Sequence, residues 1–361
     1  MKIVAEAGTS YEGSLDKAKQ LVECAKKCGA DVVKFQWVYA DEILHPKTGL
    51  VHLPTGDIPL YERFRQLEVT PDFFAELRDF CRELQIEFMC SPFGPKSLSE
   101  LLQIQPDYIK IASPELNYVQ LLHQLSNENK RNIPVVLSSG VSTLSDIETA
   151  LSCFDKKSLS NLTLLHCITS YPAPEDEYNL NVIKTLNQIF GVCTGVSDHS
   201  LNPLYVPLLS QALGSTMLEK HITLSNEGNG LDDPVALNPK NFEMMCKIVR
   251  AFAQSDSVVD YTVSYLQDKI GDRVFNILGT GIKELAPSEK ANYGRTNRCL
   301  RFIKDKKAGE KIEKSDIAIL RTEKILEVGL APKFLENIEN CILTKDVFSG
   351  DAVKWDCVTK K

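Results

Sequence analysis

The sequence contains no Cys-x-x-Cys pair, and its 11 cysteines are an odd number. Zinc knuckles and thioredoxin-like sites need that short spacing, and a small disulfide-bonded scaffold needs an even set. Neither class of protein is therefore indicated. The chain also runs from Met1 straight into an apolar segment, without a signal-peptide pattern. We expect a cytoplasmic protein with reduced thiols, most of them packed as small hydrophobic groups.

Long apolar runs and an excess of positive charge are also missing. No run approaches the roughly 18–20 apolar residues that span a membrane. Lys and Arg number 41 against 48 Asp and Glu, which gives a formal net charge of −7. A net negative charge disfavours nucleic acid and anionic membranes as partners, and we expect neither.

Eight short apolar runs alternate with helix-like stretches over about 250 residues, the length typical of a TIM barrel. The runs are residues 2–6, 31–36, 86–91, 107–113, 135–139, 162–167, 192–199 and 216–221. Repeated strand–helix units predict the α/β class and a (β/α)8 barrel, whose active site lies where the strands end. The sequence thus predicts an enzyme and the place of its chemistry.

The remaining segments interrupt or follow this alternation. Residues 39–67 form one long insertion, which we interpret as a functional loop after the second strand. Residues 255–279 predict an added helix, and the polar stretch that follows predicts a linker. Short apolar runs between turn signals then predict a small β-rich module. The expected organisation is a barrel over 1–279, a linker over 280–298 and a β-rich domain over 299–361.

Charged and hydroxyl side chains stand at or just after the predicted strand ends. Lys34 and Lys110 lie inside apolar runs, and buried lysines are rare. Ammonium groups beside hydroxyls suit an anion, either a phosphate or a phosphate with a carboxylate. The alternative is that both lysines only form stabilising ion pairs with Glu6 or Glu115. The other polar residues at these strand ends include Gln36, Ser91, Ser113, Ser138, Ser139, Thr169, Tyr171, Ser197 and Lys220.

His199 and His221 end the last two predicted strands, which are neighbours in a closed barrel. Two imidazoles can bind one divalent ion, and substrate or water would complete an octahedral Mn²⁺ or Mg²⁺ site. Since the spacing shows no third protein ligand, a structural role for either histidine is the alternative. Glu6 and Glu115 are the candidate catalytic acid–base groups, with structural ion pairs as the alternative.

The motifs at these strand ends resemble, in order and spacing, those of the sialic acid synthase family. They include GADVVKFQ (29–36), KIASPEL (110–116), LLHCITSYPAP (164–174), SDHS (197–200) and EKHITL (219–224). The resemblance implies an enzyme that condenses phosphoenolpyruvate with an N-acylated hexosamine, either N-acetylmannosamine or a related 2,4-diacetamido sugar. The products would be a nine-carbon 2-keto acid and phosphate. GLAPKF (329–334) resembles the characteristic turn of the antifreeze-like SAF domain that these enzymes carry.

The resemblance also implies a role for each candidate residue. Phosphoenolpyruvate contacts are implied for Lys34, Lys110, Ser113, Ser138 and Ser197. Metal ligands are implied for His199 and His221, and a catalytic carboxylate for Glu115. A sugar pocket is implied for Glu6, Gln36, Thr169, Tyr171 and Asp232.

A homodimer is implied as well, in which the SAF domain of one chain is swapped onto the partner barrel and supplies an arginine to its sugar site. Arg321 is the first candidate for that arginine, with Arg298 and Arg301 as alternatives.

Three positions depart from the family pattern. Ser10-Tyr11-Glu12 replaces Asn-His-Asn or Asn-His-Gln, Thr169 replaces an Asn, and Leu231-Asp232-Asp233 replaces Pro-Asp-His. All three are expected on the sugar side, so the reaction class is expected to be retained while the sugar stays open. A Schiff-base pyruvate aldolase that uses Lys110 or Lys34, and a non-catalytic sugar-binding barrel, are the competing interpretations.

Overall fold

Eight parallel strands close into a barrel. The computed structural model describes residues 1–53, 56–253 and 258–359. In chain order the barrel strands are β1 Lys2–Gly8, β2 Val32–Trp37, β3 Glu87–Pro92, β4 Tyr108–Ile111, β5 Val135–Ser138, β6 Leu162–Cys167, β7 Cys193–Asp198 and β8 Met217–His221. β1 pairs in parallel with both β8 and β2, which closes the ring. The prediction of a TIM barrel is confirmed.

Helices connect the strands and cover the outside of the barrel. They are α1 Leu15–Cys28, α2 Ala40–Ile43, α3 Leu60–Leu67, α4 Pro71–Glu83, α5 Pro95–Ile104, α6 Val119–Glu128, α7 Leu144–Leu151, α8 Lys156–Leu159, α9 Val182–Phe190, α10 Tyr205–Ala212 and α11 Pro239–Phe252. α1 shows why they begin and end where they do. The Ser14 hydroxyl accepts a hydrogen bond from the Lys17 N–H, and Gly29 ends the helix in the left-handed conformation at φ 94°.

The barrel interior is built in two layers, because alternate residues of each strand point inwards. The lower layer is apolar and consists of Val4, Val32, Met89, Val136, Leu165 and Met217, with Tyr108 packed against them. Gly195 completes this layer, and a Cβ there would overlap the Met217 carbonyl. Two residues further along each strand, the side chains are Glu6, Lys34, Ser91, Lys110, Ser138, Cys167, Ser197 and Glu219. The apolar layer thus supports a polar floor at the carboxyl end of the barrel.

Apart from residues 54–55, which lie outside the described residues, the insertion at 39–67 has regular secondary structure where the sequence predicts a loop. It contains α2, a 3-10 turn at Pro46–Thr48, an antiparallel hairpin of Leu50–Leu53 with Gly56–Pro59, and α3. Its apolar side chains form a small core of their own, which includes Leu60, Phe64 and Leu67. These three recur at the helical spacing of i, i+4 and i+7, which is the signal that indicates α3.

Two helices, α12 Val258–Ile270 and α13 Arg273–Leu278, replace the single helix predicted for 255–279. Gly271, at φ 60°, separates them, and residues 254–257 lie outside the described residues. The predicted linker is irregular up to the first strand of the C-terminal module, apart from a 3-10 turn at Pro287–Glu289. Across 1–53, 56–253 and 258–359, none of the helices is long and apolar enough to cross a membrane.

The C-terminal module, here residues 298–359, has less strand than its turn signals predict. β9 Arg298–Phe302 pairs antiparallel with β10 Ile317–Arg321, and β11 Ile342–Leu343 with β12 Val358–Thr359. GLAPKF forms a 3-10 turn at Pro332–Phe334 that leads into α14 Leu335–Ile338. Pro332 has no N–H to donate to a strand ladder, which disfavours a strand there.

Candidate active site

Four charged side chains meet on the polar floor. Lys34 Nζ lies 3.2 Å from Glu219 Oε2 and 3.3 Å from Glu6 Oε2. Lys110 Nζ lies 3.8 Å from Glu219 Oε1. All four side chains are at most 4% exposed. The structure therefore brings Glu6, Lys34 and Lys110 together, and it adds Glu219, whose carboxylate lies between the two lysines.

Neutral side chains fix these carboxylates. Ser197 Oγ donates to Glu219 Oε1 at 2.9 Å, and Gln36 Nε2 donates to Glu6 Oε1 at 2.7 Å. Glu219 is the site residue that sequence reasoning missed. Its only signal in the sequence is a carboxylate in the middle of the buried strand β8.

Burial and charge act against each other on the floor. Burial favours a raised pKa for Glu219, but the charges of Lys110 and Lys34 outweigh it and hold that pKa at about 2. Burial lowers the pKa of Lys110 to about 8, because Glu219 offsets it only in part. For Lys34 the carboxylates of Glu219 and Glu6 outweigh burial, and its pKa is raised. At neutral pH the floor therefore presents two ammonium groups.

Several buried polar atoms near these lysines lack a hydrogen-bond partner among the described residues. They are Ser91 Oγ and Ser138 Oγ on the floor, and Thr169 Oγ1 and His221 Nδ1 above it. An unpaired buried polar group costs about 1–3 kcal/mol, and clusters of them are uncommon in native proteins. Hydroxyl donors beside two ammonium groups can together bind an oxyanion such as a phosphate.

Gly140 brings two further hydroxyls together. Its N–H donates to Ser113 Oγ at 3.0 Å. A Cβ at Gly140 would overlap the Thr169 hydroxyl and would lie 2.8 Å from Ser113 Oγ. Only glycine therefore allows the loop after β5 to approach both side chains this closely.

The two histidines are neighbours, as their strand-end positions predict. Their ring centroids are 5.5 Å apart. His199 Nδ1–H donates to the Ile168 carbonyl at 2.8 Å, so Nε2 is the unprotonated nitrogen and carries the lone pair. His221 Nδ1 lies 3.7 Å from Asp232 Oδ2. Burial lowers the pKa of His199, and it lowers that of His221 to about 4.

Neutral imidazoles are the form that binds metal ions, so this pair fits a divalent ion. Within residues 1–53, 56–253 and 258–359, no cluster of three or more His, Cys, Asp or Glu side chains could hold one. The remaining ligands of such an ion would therefore be substrate or water.

The residues expected at the sugar surround these histidines. The Tyr171 ring stacks on His199 with centroids 4.2 Å apart, and its hydroxyl lies 3.2 Å from His199 Nε2. Burial raises the pKa of Asp232 to about 6, and the opposing effect of His199 is smaller. Gln36 approaches from the Glu6 side through the hydrogen bond described above.

Two of the departures from the family pattern occupy other places than expected. Tyr11 lies in the hydrophobic core rather than in the pocket, and its ring packs against Phe73 and Phe74. Ser10 Oγ donates to Asp233 Oδ1 at 2.7 Å. The two residues of this chain that depart from the family pattern at positions 10 and 233 are therefore hydrogen-bonded to each other.

Lys220 faces away from the barrel interior. Its Nζ lies 2.7 Å from Asp198 Oδ2, in a buried pair between β8 and β7. Strand alternation explains the difference from the prediction, since Glu219 and His221 on either side of it point inwards.

Glu115 belongs to a second buried charge cluster. It lies in a 3-10 turn, Ser113–Glu115, and its side chain is 0% exposed. Oε1 accepts hydrogen bonds from Arg298 Nε at 2.9 Å and from Arg321 Nε at 2.8 Å. Oε2 accepts from Arg321 Nη2 at 2.8 Å. The C-terminal module thus contacts the barrel through this carboxylate.

The two arginines face each other across the β9–β10 pair, where Arg298 is in register with Arg321. Like charges directly opposite repel, and Glu115 compensates both. Arg298 also donates to the carbonyls of Phe93, at 2.7 Å, and of Glu42. Its guanidinium is completely buried and fully engaged.

Arg321 differs from the other candidate arginines in its exposure. Its side chain is 12% exposed, and its Nη1 lies 3.6 Å from Glu323 Oε1. Arg301 is buried and donates to the carbonyls of Gly350 and Glu327 inside the module, while its Nε has no partner among the described residues. Arg321 is therefore the candidate that is partly exposed, and it contacts Glu115 of its own chain.

A TIM barrel with a floor of lysines, carboxylates and hydroxyls below a pair of histidines defines a class of anion-binding enzyme. Residues 21–260 match the model of the NeuB family. A protein from Methanocaldococcus jannaschii is 32% identical over 98% of this chain and 93% of its own length. The N,N'-diacetyllegionaminic acid synthase of Campylobacter jejuni is 30% identical over 93% of this chain and 95% of its own length.

The crystal structure of the spore coat polysaccharide biosynthesis protein SpsE from Bacillus subtilis has the same fold. It superposes with a TM-score of 0.80 at 28% identity and covers 100% of this chain and 95% of that one. The chain belongs to the NeuB family.

Proposed function

We propose that this protein condenses phosphoenolpyruvate with an N-acylated amino sugar and water, giving a nine-carbon 2-keto acid and phosphate. The observation that supports this activity most directly is the polar floor, where Lys34 and Lys110 lie among hydroxyls that have no partner within the described residues. Membership of the NeuB family and the similarity to an N,N'-diacetyllegionaminic acid synthase support the same activity.

Phosphoenolpyruvate would occupy the floor. Lys34 and Lys110 would neutralise its phosphate and carboxylate, while Ser113, Ser138 and Ser197 donate hydrogen bonds to its oxygens. Ser197 already donates to Glu219, so it would need to turn toward the ligand. The floor then holds carbon 3 of phosphoenolpyruvate below the histidines, which is the proximity that a two-substrate reaction needs.

The sugar would lie above it, against Tyr171, Gln36 and Asp232. His199 and His221 would hold a divalent ion, Mn²⁺ or Mg²⁺, which supplies Lewis-acid polarisation of the sugar aldehyde. The C2=C3 electron pair of phosphoenolpyruvate forms the new bond from carbon 3 to the aldehyde carbon, and the aldehyde oxygen takes up a proton to become a hydroxyl. Water then adds at the positively charged carbon 2 and releases a proton. The bond from carbon 2 to the phosphate oxygen breaks, phosphate leaves with the bonding pair, and loss of the proton of the added hydroxyl gives the 2-keto group.

Glu6 and Glu115 are the carboxylates proposed for the proton transfers. Glu6 lies on the floor beside Lys34. Glu115 accepts three hydrogen bonds from arginines, and a carboxylate has about four lone-pair positions. One position therefore remains for water or an intermediate. Arg321 would bind the sugar through Nη1, in place of its 3.6 Å contact with Glu323.

The exchange of the C-terminal module between two chains of a homodimer stays part of the proposal. The contact of Arg321 with Glu115 lies within one chain in the structure, and an exchange would form it between chains. Mixing Arg321→Ala with Glu115→Gln chains, at a sugar concentration too low for either variant alone to turn over, decides this. Activity should partly return if the contact forms between chains, and it stays absent if the contact forms within one chain.

A Schiff-base aldolase is the second candidate, since a pKa of about 8 makes Lys110 the more reactive amine. Borohydride treatment with pyruvate separates the two activities. The aldolase would leave a reduced covalent adduct on Lys110, whereas the proposed synthase leaves none.

The proposed function is tested by phosphate release. The full chain is incubated with phosphoenolpyruvate, Mn²⁺ and a panel of N-acyl hexosamines that includes 2,4-diacetamido sugars. We expect phosphate release that depends on one of the sugars and matches the 2-keto acid formed. Sugar binding without any phosphate release would favour the non-catalytic barrel and contradict the proposal.

A further inference from the structure

Val141 has a backbone conformation that its side chain disfavours. It follows β5 and the Ser138–Gly140 segment, its φ is +43°, and it is 0% exposed. Left-handed φ values are a genuine outlier for a β-branched residue. Such strain persists only where surrounding contacts enforce it, and it concentrates at functional sites.

Two side chains of the linker enforce it. Glu289 Oε1 accepts a short hydrogen bond from the Val141 N–H, and Asn297 Nδ2 donates to the Val141 carbonyl at 3.3 Å. Glu289 Oε2 accepts from the Ala286 N–H at 3.1 Å, which anchors the carboxylate in its own 3-10 turn. Glu289 is 0% exposed and Asn297 is 4% exposed. The backbone N–H and the carbonyl of Val141 are thus both held by side chains from outside the barrel.

The same linker holds the neighbouring loop. Asn292 Nδ2 donates to the Thr169 carbonyl at 2.8 Å. Thr169 and Ser113 are the side chains that Gly140 approaches, and the Gly140 N–H donates to Ser113 Oγ. A change of φ at Val141 would turn Gly140 away from both. The position of the Ser113 hydroxyl beside Gly140 therefore depends on a conformation that the linker sets.

We infer that Glu289 and Asn297 are positioning residues. They hold Val141 in its left-handed conformation and so place the hydroxyl of Ser113, which the Gly140 N–H contacts, for the phosphate-bearing substrate. This inference rests on the proposed function, which it extends to residues that touch no substrate. It links attachment of the C-terminal module to the phosphoenolpyruvate end of the site.

The first test is Glu289→Ala, which removes the acceptor. We expect the KM for phosphoenolpyruvate to rise about tenfold, the order set by the strain of such a residue, while the KM for the sugar stays within about twofold. Glu289→Gln keeps an acceptor oxygen and should recover most of the affinity. Glu284→Ala, at an exposed position of the same linker, is the matched control and should behave as wild type.

The second test uses the strain itself. Glycine adopts positive φ without strain, so Val141→Gly in the Glu289→Ala background should bring the KM for phosphoenolpyruvate back toward wild type. Asn297→Ala removes the hydrogen bond to the Val141 carbonyl, together with the one accepted from the Gly294 N–H, and carries the test if Glu289→Ala fails to fold. A double variant no better than Glu289→Ala would overturn the role of strain.

Amide hydrogen exchange separates this inference from the proposed function. Residues 138–142 should exchange faster in Glu289→Ala and in Asn297→Ala than in wild type, with no substrate present. If wild type neither binds nor turns over phosphoenolpyruvate while exchange responds as expected, the proposed function fails and the linker contact stands. Unchanged exchange and unchanged phosphoenolpyruvate affinity in both variants, in an active enzyme, would overturn the inference.

Discussion

The molecule contains two buried charge clusters that differ in how completely their hydrogen bonds are used. On the barrel floor, Lys34 and Lys110 both contact Glu219, Lys34 also contacts Glu6, and nearby hydroxyls lack partners within the described residues. In the second cluster, each nitrogen of the Arg298 guanidinium donates to Glu115 or to a backbone carbonyl. Unpaired polar atoms, rather than buried charge alone, therefore mark the surface prepared for a ligand.

Removal of the divalent ion should have the largest effect on turnover, because the ion would be held by the two histidines above the barrel floor and not by the arginine cluster. Dialysis against excess EDTA should reduce phosphate release to background, and Mn²⁺ or Mg²⁺ should restore it. His221→Ala should remain inactive after the metal is returned. Full turnover in excess EDTA would contradict the proposed role of the two histidines.

The second-largest effect is expected for Lys110→Met, with a loss of about 10²–10³-fold in kcat/KM, the size seen when one charge-stabilising donor is removed. Methionine keeps much of the side-chain volume, so packing on the floor should persist. Lys345→Met, at an exposed lysine of the C-terminal module, is the control and should leave turnover unchanged. A loss below tenfold at Lys110 would make that lysine structural.

The two arginines that contact Glu115 test the second charge cluster. Arg298→Ala leaves Glu115 with one partner and frees the three carbonyls of Glu42, Ile319 and Phe93, and breaking a buried ion pair costs about 3–5 kcal/mol. Arg321→Ala should change the free energy of unfolding less and should instead raise the KM for the sugar. Denaturant unfolding and steady-state kinetics on both variants measure this. Equal loss of stability in the two would remove the distinction between a structural and a substrate-facing arginine.

A smaller effect is expected from pH. Lys110 is charged below its pKa of about 8 and neutral above it, so attraction of the phosphate is present below that pH and is lost as the pH rises through it. kcat/KM for phosphoenolpyruvate should therefore be level below pH 8 and decline above it. Lys110→Arg keeps its charge and, if active, should shift the decline to higher pH. A profile that is level to pH 10 in wild type would contradict this assignment.

Local patterns in the sequence predicted the barrel and much of its floor. Short apolar runs and their ends indicate Lys34, Lys110 and the two histidines, since each of these residues interrupts or ends such a run. Glu219 is different, because its meaning depends on lysines from β2 and β4 that lie next to it only after the barrel closes. The contact of Glu289 with Val141 is likewise invisible in the sequence, as 147 intervening residues separate its partners along the chain.

The C-terminal arginines show the same limit. The sequence makes Arg321 the first candidate and leaves Arg298 and Arg301 as alternatives. The structure separates them by the register that places Arg298 opposite Arg321 at Glu115, and by the burial of Arg298 and Arg301 against backbone carbonyls.

The most direct test of the contrast between the two clusters is a titration of phosphoenolpyruvate, without sugar, into wild type, Lys110→Met and Arg321→Ala. Calorimetry or ligand-detected NMR reports the affinity of each. We expect wild type and Arg321→Ala to bind with similar affinity and Lys110→Met to bind at least tenfold more weakly, the order expected for a lost charged contact. Wild-type affinity in Lys110→Met, or loss of binding in Arg321→Ala, would contradict the assignment of the barrel floor as the phosphoenolpyruvate site.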